Sequence, residues 1–255
     1  CPADACGRAG EQQYDGRTLV LTTRWGGVTL TDYLDCSRGR PFQRAGRSEL
    51  VRVVEGSGPV RIEFAPRLDF GRVRTRLSRA PDGLVVEGCL DPIVLRAPGV
   101  EWEIRDEGQH HTALGRAELR AGEPLVLELR LGTGDLRPSP APEAQRREQT
   151  RAFWTSWSGS LRLPGVGASH AELVARSALT LKALTHAPTG AILAAATTSL
   201  PEWPGGERNW DYRYCWPRDA AIAAASLVRL GNTGVAVRFL DWLLGVLDRT
   251  GSPER

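Results

Sequence analysis

The sequence has no methionine at all, not even at position 1, and only one lysine, Lys182, among its 33 basic residues. The missing methionine, together with a last segment (Gly251-Ser-Pro-Glu-Arg255) that stops just after an amphipathic stretch, reads as a chain cut at both ends. The bias to arginine reads as the mark of a GC-rich genome rather than of a phosphate-binding surface. Long apolar runs are also missing, so no segment reaches membrane-spanning length, and no signal peptide is visible. Cysteine is sparse: Cys1, Cys6, Cys36, Cys89 and Cys215 are odd in number and widely spaced after the first two. They form neither a secreted disulfide framework nor a CxxC metal pair, which makes a reducing cytoplasm the expected compartment. A net charge of +3 with interleaved signs argues against nucleic acid as a partner.

What remains is an ordinary globular composition, 41% hydrophobic and 25% charged over 255 residues, enough for two modest domains. From Thr18 to Leu131 short strands dominate. Leu19 to Thr23 and Val28 to Thr31 flank Trp25-Gly26-Gly27, a hairpin signal. Val60, Ile62 and Phe64 alternate with charged residues, as do Val100, Trp102 and Ile104, and Leu84 to Val86 and Leu125 to Leu131 continue the series. Turn residues at Pro81-Asp82-Gly83, Ala97-Pro98-Gly99 and Ala121 to Pro124 punctuate it. Many short strands without intervening helices predict an antiparallel β-sandwich over residues 1–136.

Between Arg137 and Thr150 the composition shifts to Pro, Ala, Glu and Arg, which reads as a linker unable to bury much, helical from Glu143. The linker is placed at residues 137–164. Phe153, Trp154 and Trp157 follow at helical spacing and read as packing residues rather than ligand contacts. A helical region is expected over 165–255. Ser169 and Glu172 form a capping-box pattern ahead of a stripe of Leu173, Val174, Ser177, Ala178, Leu181 and Leu184. A second helix is expected from Pro217 to Leu230, apolar almost all round, and a third from Val235 to Leu247 with Val235, Phe239, Trp242, Leu243 and Val246 on one face. So much apolar surface calls for partners beyond the chain.

The stretch Arg208 to Asp219 is the most unusual. Trp210, Tyr212, Tyr214 and Trp216 interleave with Asn209, Asp211, Arg213, Arg218 and Asp219. If extended, it places all four aromatics on one face. A sugar has apolar ring faces and a fringe of hydroxyls, so a site for it needs aromatic platforms with fixed donors and acceptors. An arginine beside a carboxylate grips neighbouring hydroxyls, one donating and the other accepting. A plain core strand followed by a proline-initiated helix accounts for the same pattern, and composition alone leaves both readings open.

Thr197-Thr-Ser-Leu-Pro-Glu202 followed by Gly205 to Ala220 resembles the signature of glycoside hydrolase family 15, in its bacterial branch with a trehalase-like N-terminal domain. The resemblance continues through Arg176 to Gly190 and, more loosely, through Val28 to Tyr33 and Phe64 to Phe70. It implies a β-sandwich followed by an (α/α)6 barrel, here the first helices of a truncated one. It further implies an inverting hydrolase of α-glucosidic bonds, of glucoamylase or trehalase type, with an α-glucoside partner and no cofactor or metal. Tyr212, Trp216, Arg218 and Asp219 match the family residues that line the pocket for the non-reducing glucose. Trp210, Arg213 and Tyr214 match as loop supports.

The family's catalytic acid and base are glutamates on later barrel loops, so no catalytic residue is expected within this chain. Glu202 and Glu207 have the right group in the right stretch, but the family match assigns neither a catalytic role. His110, His111, His170 and His186 show no ligand spacing. A non-catalytic carbohydrate-binding or structural module is the alternative.

Overall fold

A computed structural model describes residues 9–250. Cys1, Cys6 and the final segment from Gly251 to Arg255 lie outside the described residues. The chain divides into two units, the first ending at Phe153 and the second beginning at Trp154.

The first unit contains eleven described strands. They are β1 (Glu11–Tyr14), β2 (Leu21–Trp25), β3 (Val28–Leu34), β4 (Ser48–Glu55), β5 (Gly58–Phe64) and β6 (Arg76–Ala80). After them come β7 (Gly83–Glu87), β8 (Ile93–Arg96), β9 (Glu101–Asp106), β10 (His111–Leu119) and β11 (Leu125–Leu131). Eight form one sheet in the order β1-β2-β3-β4-β11-β8-β7-β6, and three form another in the order β5-β10-β9. Every pairing between neighbouring strands is antiparallel. The expected hairpin pairs Trp25 with Val28 across Gly26-Gly27, with Gly26 at φ +51, a conformation that glycine takes without strain.

The alternating residues do what their spacing predicts. Leu77, Leu84, Val86, Leu95 and Leu127 of the large sheet cluster with Ala113, Ile62, Phe64, Trp102 and Ile104 of the small one. The two sheets therefore share an apolar layer, an antiparallel sandwich in which each fully buried Leu or Val contributes roughly 1.5–3 kcal/mol. Gly83 shows how closely β7 and β8 approach, since a Cβ there would lie 1.9 Å from the carbonyl oxygen of Leu95. One short helix, α1 (Gly39–Arg44), interrupts the strands, which the sequence pattern did not suggest.

The stretch read as a linker is helical from Glu143 as expected, but it is not the solvated segment that its composition suggested. It forms the start of α2 (Glu143–Gly159), and Arg146 and Thr150 are among the most buried polar side chains, at 1% and 0% exposure. Composition missed this because burial here is ionic. Arg146 Nη1 donates to Asp35 Oδ2 at 3.1 Å and to Glu49 Oε1 at 2.9 Å, while Nη2 donates to Glu128. Arg130 bridges the same Glu49 and Glu128, and Arg96 stands 3.7 Å from Glu128. Three carboxylates are thus balanced by three arginines. Burial works against the Arg146 charge, but Glu128, Glu49 and Asp35 outweigh it and hold the guanidinium pKa above its ordinary value. Nearby, Tyr33 Oη donates to Glu143 Oε1 at 3.0 Å, and burial together with that carboxylate pushes the phenol pKa up.

In the second unit, Trp154 meets Trp157 edge-on at 6.3 Å, in keeping with a packing role. Three further helices follow, α3 (Ala168–Ala183), α4 (Pro217–Arg229) and α5 (Thr233–Thr250), so helices succeed the β region in the expected order. Their core joins Ala178, Ala220, Ala223, Ala224, Leu227, Val235 and Phe239 with Ile192 of the α3–α4 connection. Gly190, at φ +93, lets that connection pass close to α5, where a Cβ would come within 2.6 Å of the Arg238 carbonyl oxygen.

Two local expectations fail in α3. Gly167 is the N-cap and its carbonyl accepts from His170 and Ala171, so Ser169 falls inside the first turn and caps nothing. The buried stripe is Ala175, Ala178 and Leu179, whereas Leu173 is 66% exposed. The buried face keeps Ala178 of the expected stripe but is rotated toward Ala175 and Leu179, which leaves Leu173 outside. Ile222 on α4 and Val237, Leu240 and Leu244 on α5 are also exposed, in keeping with the excess apolar surface anticipated for these helices. Among the described residues, no helix is long and apolar enough to cross a membrane.

The Arg146 cluster yields a stability prediction. Arg146→Ala leaves three carboxylates facing two arginines in a dry setting and should cost about 3–5 kcal/mol, read as a lower urea midpoint. A loss below about 1 kcal/mol would mean that water reaches the cluster.

Candidate functional site

The segment Asn209 to Asp219 joins the end of the α3–α4 connection to the first turn of α4, and its backbone fixes which side chains gather. Thr198 and Asp211 form an isolated antiparallel bridge, Ala195 N donates to Tyr212 O at 2.8 Å and Ala194 N to Tyr214 O at 3.2 Å. The chain turns between Tyr212 and Tyr214 rather than staying extended. In consequence the four aromatics do not share one face. Trp216 meets Trp210 edge-on at 6.0 Å and Tyr212 edge-on at 5.7 Å, whereas Tyr214 is 69% exposed and belongs to neither contact.

Trp216 ends the segment as the N-cap of α4 in an extended conformation, with Pro217 at the first helical position. Its indole Nε1 donates to the Asp211 carbonyl at 3.1 Å, which anchors the nitrogen side of the ring and leaves the rest to its aromatic neighbours. Proline is at home there because its missing N–H is one that the helix leaves unpaired. Arg218 and Asp219 occupy the first turn, where the positive end of the helix dipole stabilises a carboxylate. Arg218 Nη2 lies 3.3 Å from Asp219 Oδ2, and both side chains remain open to solvent. The pair expected to grip hydroxyls is therefore formed and accessible.

Arg213 is committed elsewhere. Its guanidinium donates from Nε to Asp211 Oδ1 at 3.0 Å and from Nη2 to Oδ2 at 2.7 Å, a two-pronged fork that braces the turn. That fork, followed by a backbone N–H from Arg213, holds the Asp211 carboxyl below the usual aspartate range. Cys215 sits behind the segment against the helical core, and burial pushes its thiol pKa up. Like Cys89, it is a free cysteine.

Glu202 takes a place that its sequence position did not reveal. Its Oε1 accepts from Trp210 Nε1 at 3.2 Å and its Oε2 faces Arg208 Nη1 at 3.6 Å. Glu207 is exposed. His111 Nδ1 lies 3.1 Å from the backbone nitrogen of Leu77, and His186 Nδ1 lies 2.9 Å from Thr189 Oγ1. Among the described residues, no group of three or more His, Cys, Asp or Glu side chains is placed to hold a metal ion. The arrangement suits recognition of a neutral polyol: ring edges and faces for an apolar surface, and one donor–acceptor pair for adjacent hydroxyls.

Residues 2–154 match the family described as trehalase-like, N-terminal, and residues 168–251 match glycosyl hydrolases family 15. The trehalase of Thermoplasma acidophilum is 32% identical over 94% of this chain and 41% of its own length. The trehalase of Mycolicibacterium smegmatis is 45% identical over 77% of this chain and 30% of its own. That of Mycobacterium tuberculosis is 28% identical over 92% of this chain and 38% of its own. The chain thus spans well under half the length of these relatives.

The Arg213–Asp211 fork predicts a pH dependence local to the site. A carboxyl whose pKa falls on folding adds stability above its unfolded value, about 3.9, and loses it as the pH drops through the lower folded value. Carbon-13 NMR of the Asp211 carboxyl should therefore show a midpoint below that value, and Arg213→Ala should return it to the ordinary range. An unshifted midpoint in the unsubstituted protein would mean that the fork does not persist in solution.

Proposed function

Because the chain belongs to glycosyl hydrolase family 15, with a trehalase-like N-terminal domain ahead of the family's helical region, we propose that it is part of an inverting α-glucosidase that acts on trehalose. The observation that carries this reading is the Arg218–Asp219 pair at the first turn of α4, beside the Trp210, Tyr212 and Trp216 cluster. Tyr212 and Trp216 offer ring surface to the apolar side of the terminal glucose. Arg218 donates to one hydroxyl and Asp219 accepts from its neighbour. The names of the curated relatives favour trehalose over an α-glucan as the substrate.

In an inverting hydrolase, one carboxylic acid protonates the leaving glycosidic oxygen while a second carboxylate takes a proton from the attacking water, so the freed sugar emerges with inverted configuration. Both groups belong to segments beyond residues 1–255 in this proposal. Glu202 is a poor candidate for either role because its two oxygens already face Trp210 and Arg208. The residues of this chain bind and orient the glucose and leave the proton transfers to the later loops.

The full-length protein should convert trehalose to glucose, with the β-anomer appearing first in the proton NMR spectrum. Arg218→Ala and Asp219→Ala should each lower kcat/KM roughly 10- to 150-fold, the loss expected for one charged hydrogen bond, with the fold retained and at most the small drop in melting temperature that losing a first-turn carboxylate brings. Retention of configuration, or full activity in both variants, would sink the proposal. The 255-residue chain alone should hydrolyse nothing, and turnover by it would return Glu202 and Glu207 as catalytic candidates.

A further inference from the structure

The stretch ahead of the aromatic cluster is folded back on itself. Ser199 N donates to Trp210 O at 2.7 Å, Trp210 N donates to Ser199 Oγ at 2.8 Å, and Glu202 N donates to Arg208 O at 3.2 Å. Between Glu202 and Arg208 the chain reverses at Trp203-Pro204-Gly205-Gly206, where Gly205 has φ +79 and Gly206 N donates to Trp203 O at 2.9 Å. The effect of this closed loop is to deliver one carboxylate to the edge of the cluster.

That carboxylate meets the single polar atom of the Trp210 ring. An indole has one N–H, so a fixed acceptor in front of it sets the ring's rotation as well as its position. Trp210 in turn stands edge-on to Trp216 at an interplanar angle of 83°, and Trp216 stands at 81° to Tyr212. Rotating Trp210 would change the edge that Trp216 packs against. The Arg208–Glu202 contact at 3.6 Å is open to solvent and worth little by itself, but it faces the oxygen that Trp210 leaves unused.

We propose that Glu202 is a positioning residue for the sugar platform, acting through the Trp210 indole N–H to hold Trp216 in the orientation that receives the glucose ring. The proposal rests on the reading of Tyr212, Trp216, Arg218 and Asp219 as the glucose pocket. Glu202 does not touch the sugar or transfer a proton, so its loss should show in substrate binding and in tryptophan optics, with the chemical step spared.

The test is a double-mutant cycle in the full-length protein, comparing Glu202→Ala, Glu202→Gln, Trp210→Phe and the Glu202→Ala/Trp210→Phe pair with the unsubstituted form. Steady-state kinetics on trehalose, near-ultraviolet circular dichroism and thermal melts are measured for each. Glu202→Ala and Trp210→Phe should each raise KM about 5- to 10-fold with kcat within about 2-fold, and the pair should be no worse than either alone. Glu202→Gln keeps an oxygen for the indole N–H and should restore both KM and the near-ultraviolet bands that Glu202→Ala weakens.

Additive effects in the pair would overturn the proposal, because they would mean that Glu202 does not act through Trp210. A glutamine variant as damaged as the alanine one, with kcat lost rather than KM raised, would overturn it in favour of proton transfer by Glu202. An unsubstituted protein that leaves trehalose untouched removes the pocket reading and this inference together. Turnover of trehalose with an additive cycle removes this inference alone.

Discussion

The assembly of the first unit depends on a charge that has no water around it. Arg146 comes from α2 and reaches Asp35, just past β3, Glu49 on β4 and Glu128 on β11. Strands β4 and β11 are neighbours in the middle of the large sheet, so without the helix they would carry two buried carboxylates with only Arg130 and Arg96 to balance them. Apolar contacts tolerate small slips, whereas a guanidinium with three carboxylate partners does not, and one docking register of the helix is thereby selected over its neighbours. The Tyr33–Glu143 hydrogen bond, one turn earlier on the helix, and the bond from Cys36 N to Thr150 Oγ1, one turn later, extend the same alignment.

This cluster also marks where sequence reading stops. Period-two alternation in β5 and β9 foretold a buried face because each strand carries that signal within a few residues. Arg146 finds Glu49 and Asp35 across 97 and 111 residues, and nothing local distinguishes it from the arginine that follows it. A run of Pro, Ala, Glu and Arg therefore looked like solvated linker. In α3 the difficulty was different. Its apolar residues are spread around the helix, so a stripe through Leu173 and Val174 and one through Ala175 and Leu179 both satisfy the period, and periodicity alone did not choose between them.

At the candidate site, the kinds of residue were legible and their arrangement was not. Aromatics mixed with an adjacent Arg and Asp fitted a sugar site and a plain core strand alike, and it was the family resemblance that favoured the sugar, whereas the first turn of α4 could be placed from Pro217 alone. The turn between Tyr212 and Tyr214 could not, and it is what separates Tyr214 from the three rings that meet. Glu202 was visible only as a spare carboxylate. Its relation to Trp210 depends on the Trp203–Gly206 reversal, which brings together residues eight apart.

Around the aromatic cluster, each of three arginines has a carboxylate within reach: Arg208 with Glu202, Arg213 with Asp211, and Arg218 with Asp219. Charges compensated at such short range cast almost no field beyond their own neighbourhood. Such a surface exerts little pull on anions from a distance. Under the proposed function, that local balance suits an uncharged sugar better than a phosphorylated one.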